Sequence, residues 1–144
     1  MTEKFFASDS VDPKSLSSAR EYVRDILTSA GLPERGGASF VIGLGGGVVA
    51  MASVKLALPT FLPEAVNGTP LTKADIDSQV SLYASSSTEE RMKIAGLPPK
   101  RADIILGSAC IVQCAMEVLK IDTFRVSING LRHGLLLEMF RSGR

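Results

Sequence analysis

Residues 38 to 57, ASFVIGLGGGVVAMASVKLA, constrain the fold of this chain more than any other stretch. Ser39 to Ile42 is a short β-branched and aromatic run, the pattern of a buried strand. Gly43, Gly45, Gly46 and Gly47 crowd the turn that follows. Val48 to Leu58 is apolar and alanine-rich, with no proline before Pro59, and suits a helix packed on a sheet. Strand, glycine turn and helix together make a cradle for a phosphate. Glycines let backbone N–H groups come close to an anion, and the helix N-terminus adds about half a positive charge. The same layout also serves as a tight turn that binds nothing. Its glycine spacing matches neither the dinucleotide fingerprint nor the lysine-bearing P-loop.

The flanking sequence alternates helices and strands. Met1 to Ala7 reads as the end of a strand. Asp12 and Pro13 open a helix as N-cap and first-turn proline, and Leu16, Ala19, Val23, Ile26, Leu27 and Ala30 recur at helical spacing until Gly31 closes it. Residues 59 to 70 form a loop rich in breakers. Thr72 with Asp75, and Ser87 with Glu90, have the spacing of capping boxes. The first starts a helix with Ile76, Val80 and Tyr83 on its inner face; the second starts a short helix that ends at Gly96. Pro98 and Pro99 lead into a long helix over about residues 99 to 120, apolar nearly all round and therefore expected to be deeply buried. Phe124, Val126 and Ile128 alternate with Thr123, Arg125 and Ser127, which marks a strand with one polar face, and Leu131 to Phe140 is a last helix. Strands separated by helices imply parallel pairing and an α/β architecture.

Composition narrows the function. The chain of 144 residues fits one domain, residues 1 to 144, with a core of its own. Its net charge is +1, with no basic stripe, which argues against nucleic acid as the main partner. No apolar run approaches the roughly 20 residues that span a bilayer, and the N-terminus lacks a signal-peptide pattern, so no membrane is involved and a cytoplasmic location is expected. Cys110 and Cys114 stand one helical turn apart in an apolar run, without a histidine nearby, and read as buried core rather than a metal site.

Two segments resemble one family. VIGLGGGVVAMA is the first; the second runs from Leu71 through GLPPKRADIILGSACIVQCAMEVLKIDTFRVSINGLRHGLLLE. Together they look like the second half of the exopolyphosphatase / guanosine pentaphosphate phosphohydrolase (Ppx/GppA) family. MTEKFF resembles the segment after that family's second phosphate-binding loop. The resemblance implies a ribonuclease-H-like lobe of the actin, sugar-kinase and heat-shock ATPase superfamily, incomplete at its N-terminal strands. In such enzymes two lobes flank a cleft that binds polyphosphate or guanosine tetra- or pentaphosphate. A magnesium ion and a glutamate-activated water then release the terminal phosphate. The glutamate and the aspartate–glycine loops of the family have no counterpart here, so neither catalytic nor metal-binding residues are expected in this chain. The missing first lobe of the same protein is the expected partner. The alternative is a non-catalytic phosphate- or protein-binding module derived from the fold. Met1 is either a natural start or the boundary of an excised piece, and both stay open.

The residue-level carry-over is short. Gly45 and Gly46 match the family's Gly-Gly-Thr turn, with Gly47 in place of the threonine, so a hydroxyl that bonds phosphate is missing and replacing Gly47 with threonine is expected to tighten binding if the turn tolerates a Cβ. Arg101 matches the arginine that opens the long helix and is expected either to face a nucleotide's base or distal phosphates, or to be solvated. Gly107 and Ser108 stand where the family often has Gly-Gly, a point of close helix packing. His133 replaces a frequent glutamate and reads as a surface residue, with Arg132 beside it. Asp75, Asp77, Glu89, Glu90 and Asp103 sit at helix starts, where they favour the dipole. In a ribonuclease-H-like lobe the strand near 39 to 43 borders the absent first strand, so an open edge with Phe40, Val41 and Ile42, and a tendency to form homo-oligomers, are expected.

Overall fold

A computed structural model of the chain describes residues 1–6, 11–31, 40–141 and 143. The elements are, in chain order, α1 (Thr2–Phe5), α2 (Pro13–Ser29), β1 (Ile42–Leu44), α3 (Gly46–Lys55), α4 (Pro63–Val66), β2 (Pro70–Thr72), α5 (Lys73–Ser85), α6 (Thr88–Arg91), a 3-10 turn (Pro99–Arg101), α7 (Ile105–Val118), β3 (Thr123–Ser127) and α8 (Leu131–Arg141). Local chemistry fixes several of these starts. The Asp12 carboxylate accepts from the backbone N–H groups of Lys14 and Ser15. Both capping boxes form: Thr72 with Asp75 at α5, and Ser87 with Glu90 at α6.

The sheet is built around β3. β1 lies parallel to it, with Ile42 opposite Arg125 and Leu44 opposite Ser127, and β2 lies antiparallel on its other side. Phe124 and Val126 point into the helical layer and are buried, whereas Ile42, Leu44 and Arg125 occupy the opposite, exposed face. The alternation along β3 is the period of two set by the pleat. Among the described residues no strand pairs with the outer side of β1. The sequence expected an open edge carrying Phe40, Val41 and Ile42; here the strand begins at Ile42, Phe40 and Val41 precede it, and Ser39 lies outside the described residues.

The core centres on α7, which packs on α2, α3 and α5. Ile105, Leu106, Ala109 and Cys110 are fully buried there, in one core cluster with Met51, Ile76, Tyr83 and Val126 of other elements. Tyr83 donates its hydroxyl proton to Gln79 Oε1 at 2.8 Å, and the Gln79 amide donates to the Met51 carbonyl at 3.0 Å, so these buried polar groups are satisfied. Both cysteines are free and buried, and burial pushes the Cys110 thiol up to about 12, which keeps it protonated and unreactive.

Five expectations need correction. Residues 2–5 are a turn of helix, not strand: the Phe5 N–H bonds back to the Met1 carbonyl and the Phe6 N–H to that of Thr2. The region 59–70 contains α4 and the start of β2, so the sheet is mixed rather than purely parallel. β2 is short and begins at a proline, which hides it from pattern reading; its Pro70 pairs only with Arg125 on β3. The long helix does not start at residue 99: a 3-10 turn and an irregular stretch precede Ile105, and Asp103 sits in that stretch. Nor is α7 buried all round, since Ile104 before it and Ile111 on it are exposed. Ile26 on α2 is exposed as well, while Ala19 and Val23 of the same stripe are buried.

Helix α2 is tied to α7 by Glu117, which takes Arg20 Nη2 at 2.9 Å and Arg24 Nη2 at 2.8 Å. Burial raises the Glu117 carboxyl pKa, but the hydrogen bonds and charges of Arg24 and Arg20 outweigh it and hold the group below its ordinary value of 4.5. A carboxyl depressed in the folded state stabilises the fold above its unfolded pKa and loses that contribution as pH falls through its folded pKa. The wild type is therefore expected to be more stable than Glu117→Gln in urea titrations at neutral pH, and the gap to close below pH 4.5. A gap that persists undiminished in acid would show that Glu117 acts through packing and not through its charge.

Candidate functional site

The glycine stretch divides differently from its sequence pattern. Gly43 belongs to β1, and its missing side chain leaves room for the Phe124 ring and for Val48. Gly45 alone forms the turn, at φ 109°, in the region that favours glycine. Gly46 and Gly47 are already the first residues of α3. No side chain caps this helix, and its first hydrogen bond runs from the Val49 N–H to the Gly45 carbonyl at 3.0 Å. The N–H groups of Gly46, Gly47 and Val48 thus have no acceptor within the helix and sit at its positive end.

Two further groups meet this end. The guanidinium of Arg101 lies directly against Gly46, filling the space that a Cβ would take. It is carried there by the segment Gly96-Leu97-Pro98-Pro99, whose 3-10 turn is closed by the Arg101 N–H donating to the Pro98 carbonyl at 2.8 Å. Arg101 is half-buried, and its guanidinium makes no hydrogen bond or ion pair among the described residues. From α7, Ser108 faces Gly47: a Cβ on Gly47 would stand 2.9 Å from Ser108 Cβ and 3.0 Å from its Oγ. A threonine at position 47 therefore does not fit unless α7 yields, so the expectation that Gly47→Thr alone tightens binding is withdrawn.

Beside Gly46 and Arg101 opens a cavity of about 310 Å³. Pro59, Phe61, Leu97, Pro98 and Pro99 give it apolar walls, and Gly96 and Ser53 line it as well. Sequence reading missed these walls, because prolines and a glycine between helices read as breakers; the signal was the Gly-Leu-Pro-Pro run directly before Arg101. Arg132 and His133 do not line the cavity and are exposed on α8. Asp103 is exposed, and Asp75 is engaged with Lys55 and the α5 cap.

The donor set suits an anion: amide N–H groups, a guanidinium and a hydroxyl. It does not suit magnesium, which prefers carboxylate and water oxygens, since no carboxylate lines the cavity among the described residues. Among the described residues no three His, Cys, Asp or Glu side chains are grouped to hold a metal ion, and no helix is long and apolar enough to cross a membrane.

The chain is similar to several known proteins. The chain is 27% identical over 142 residues to the bifunctional 3-dehydroquinate synthase/phosphatase of Fusobacterium nucleatum, covering 96% of the chain and 21% of that protein. It superposes on the crystal structure of the Aquifex aeolicus Ppx/GppA family member with a TM-score of 0.89 and 25% identity, covering 99% of the chain and 46% of that structure. It is similar in fold to an exopolyphosphatase from Cytophaga hutchinsonii, with a TM-score of 0.77 and 18% identity, over 97% of the chain and 46% of that structure. The chain thus spans about a fifth of the curated relative and less than half of these solved structures, whose fold is that of the actin-like ATPase superfamily. The family model for the Ppx/GppA phosphatase family matches residues 1–142, and the chain belongs to that family.

Proposed function

We propose that this chain is the second lobe of a phosphohydrolase that releases the terminal phosphate of inorganic polyphosphate or guanosine pentaphosphate. In this reading Gly45, Gly46 and Gly47 hold phosphate oxygens through their backbone N–H groups, and Arg101 supplies the balancing charge. The observation that carries it is the Arg101 guanidinium lying, unpaired among the described residues, against the positive end of α3. Two positive ends brought together repel unless an anion sits between them. The base that activates water and the ligands for magnesium belong to the missing first lobe. The proline- and phenylalanine-walled cavity beside Arg101 favours a substrate with a base to bury, and so a guanosine phosphate over a bare polyphosphate chain.

Titration of the chain with inorganic pyrophosphate, followed by NMR, tests the reading. The Gly46, Gly47 and Val48 amides are expected to shift, and Arg101→Ala to weaken the apparent affinity by about tenfold, the usual scale for a charge-assisted contact. Unmoved amides at saturating pyrophosphate would remove the site.

A further inference from the structure

Resting on the phosphate-binding reading above, we infer that Ser108 is a phosphate-contacting residue of this site, supplying from α7 the hydroxyl that the glycine turn lacks. The turn itself offers only backbone donors, since positions 45, 46 and 47 are all glycine. Gly47 has no side chain, and the volume it leaves is occupied from the opposite helix by Ser108, whose Oγ is 3.0 Å from where a Cβ would be. A side chain on residue 47 and the one on residue 108 therefore compete for one place, and in this chain α7 fills it.

The hydroxyl is free to turn. Ser108 Oγ donates to the Ile104 carbonyl at 3.2 Å, but that carbonyl already accepts the Ser108 backbone N–H at 3.0 Å. The hydroxyl bond is thus a second one to an already satisfied acceptor, and rotating it away leaves no backbone group unpaired. Ser108 is half-buried, with Arg101 on the same stretch of chain, so both side chains approach the first turn of α3 from the α7 side. Gly46 meets the guanidinium and Gly47 meets the hydroxyl. A phosphate oxygen at this end of α3 then has a charged donor and a neutral donor in addition to the amides, a set that accepts a tetrahedral oxyanion from more than one side.

Three forms of the 144-residue chain separate this inference from the reading beneath it: wild type, Ser108→Ala, and the double variant Gly47→Ser with Ser108→Gly, each titrated with inorganic pyrophosphate and read at the Gly46 and Val48 amides. Ser108→Ala is expected to raise the Kd about tenfold, the scale of one hydrogen bond to a charged group. The double variant moves the hydroxyl across to the turn and should return the Kd to within about threefold of wild type, with the fold checked by its amide spectrum. Equal affinities for wild type and Ser108→Ala overturn the role of Ser108 and leave the anion site standing. Should Ser108→Ala fail to fold, a folded double variant that binds as wild type does supports the role, and one that binds weakly overturns it. Wild-type amides that do not respond overturn the anion site, and this inference with it.

Discussion

Purified as these 144 residues, the chain is expected to release no phosphate above a heat-killed control from either polyphosphate or guanosine pentaphosphate, with magnesium present. Among the described residues the cavity next to the glycine turn is lined by apolar side chains, the Ser53 and Thr60 hydroxyls and a guanidinium, a set with no carboxylate or imidazole to take a proton from water. Losing a general base alone typically costs about 100- to 10,000-fold. Losing the second wall that positions water against the phosphorus atom forfeits up to roughly 7–11 kcal/mol of barrier reduction. Combined, these put turnover below detection in a malachite-green assay. Co-expression with a first lobe of the same family is expected to restore release. Turnover by the chain alone would show that its catalytic groups have been misplaced. Silence in the reconstituted pair, with pyrophosphate still bound, would favour a non-catalytic phosphate-binding module.

The largest expected effect on stability comes from a single methyl group. Gly96 stands at φ 86°, in the left-handed region, and a Cβ there would collide with the Ser53 carbonyl and press on the Val54 nitrogen. Both obstacles are backbone of α3, which cannot rotate aside as a side chain does. Left-handed backbone costs an alanine about 1–2 kcal/mol, and overpacking about 1–3 kcal/mol more. Gly96→Ala is therefore expected to lower stability by roughly 2–5 kcal/mol and Tm by roughly 8–20 °C for a chain of this size. Thermal unfolding followed by circular dichroism measures it directly. A loss under about 1 kcal/mol would mean that the loop before Pro98 shifts to admit the methyl, and the cavity wall with it.

Much of this was legible in the sequence because it is written in local chemistry. Asp12, Thr72 and Ser87 announce their helices through the N–H groups that their own side chains satisfy. The alternation at Phe124 and Val126 announces the inner face of β3. The corrections fall where long-range packing decides. A turn of helix at Thr2–Phe5 has no amphipathic period to display, and its place is against α2, with the Phe5 and Tyr22 rings 5.4 Å apart. Pro70 belongs to a strand only because β3 arrives alongside it. At the site, the glycines were readable as a pattern, but their partners were not. The pairing of Gly46 with Arg101 and of Gly47 with Ser108 crosses more than fifty positions of sequence and is set by how α7 lies on α3.

Among the described residues the sheet's middle strand is also its last. Among the described residues β1 and β2 pair only with β3, so each of these strand pairings waits for Thr123–Ser127 to leave the ribosome. Until then Gly43 lacks the Phe124 ring that will seat the turn after it. The phosphate cradle, although encoded near the front of the chain, is thus among the final parts to take shape during synthesis. A stop before residue 123 removes the one strand with which β1 and β2 pair among the described residues, and so the anchor of both.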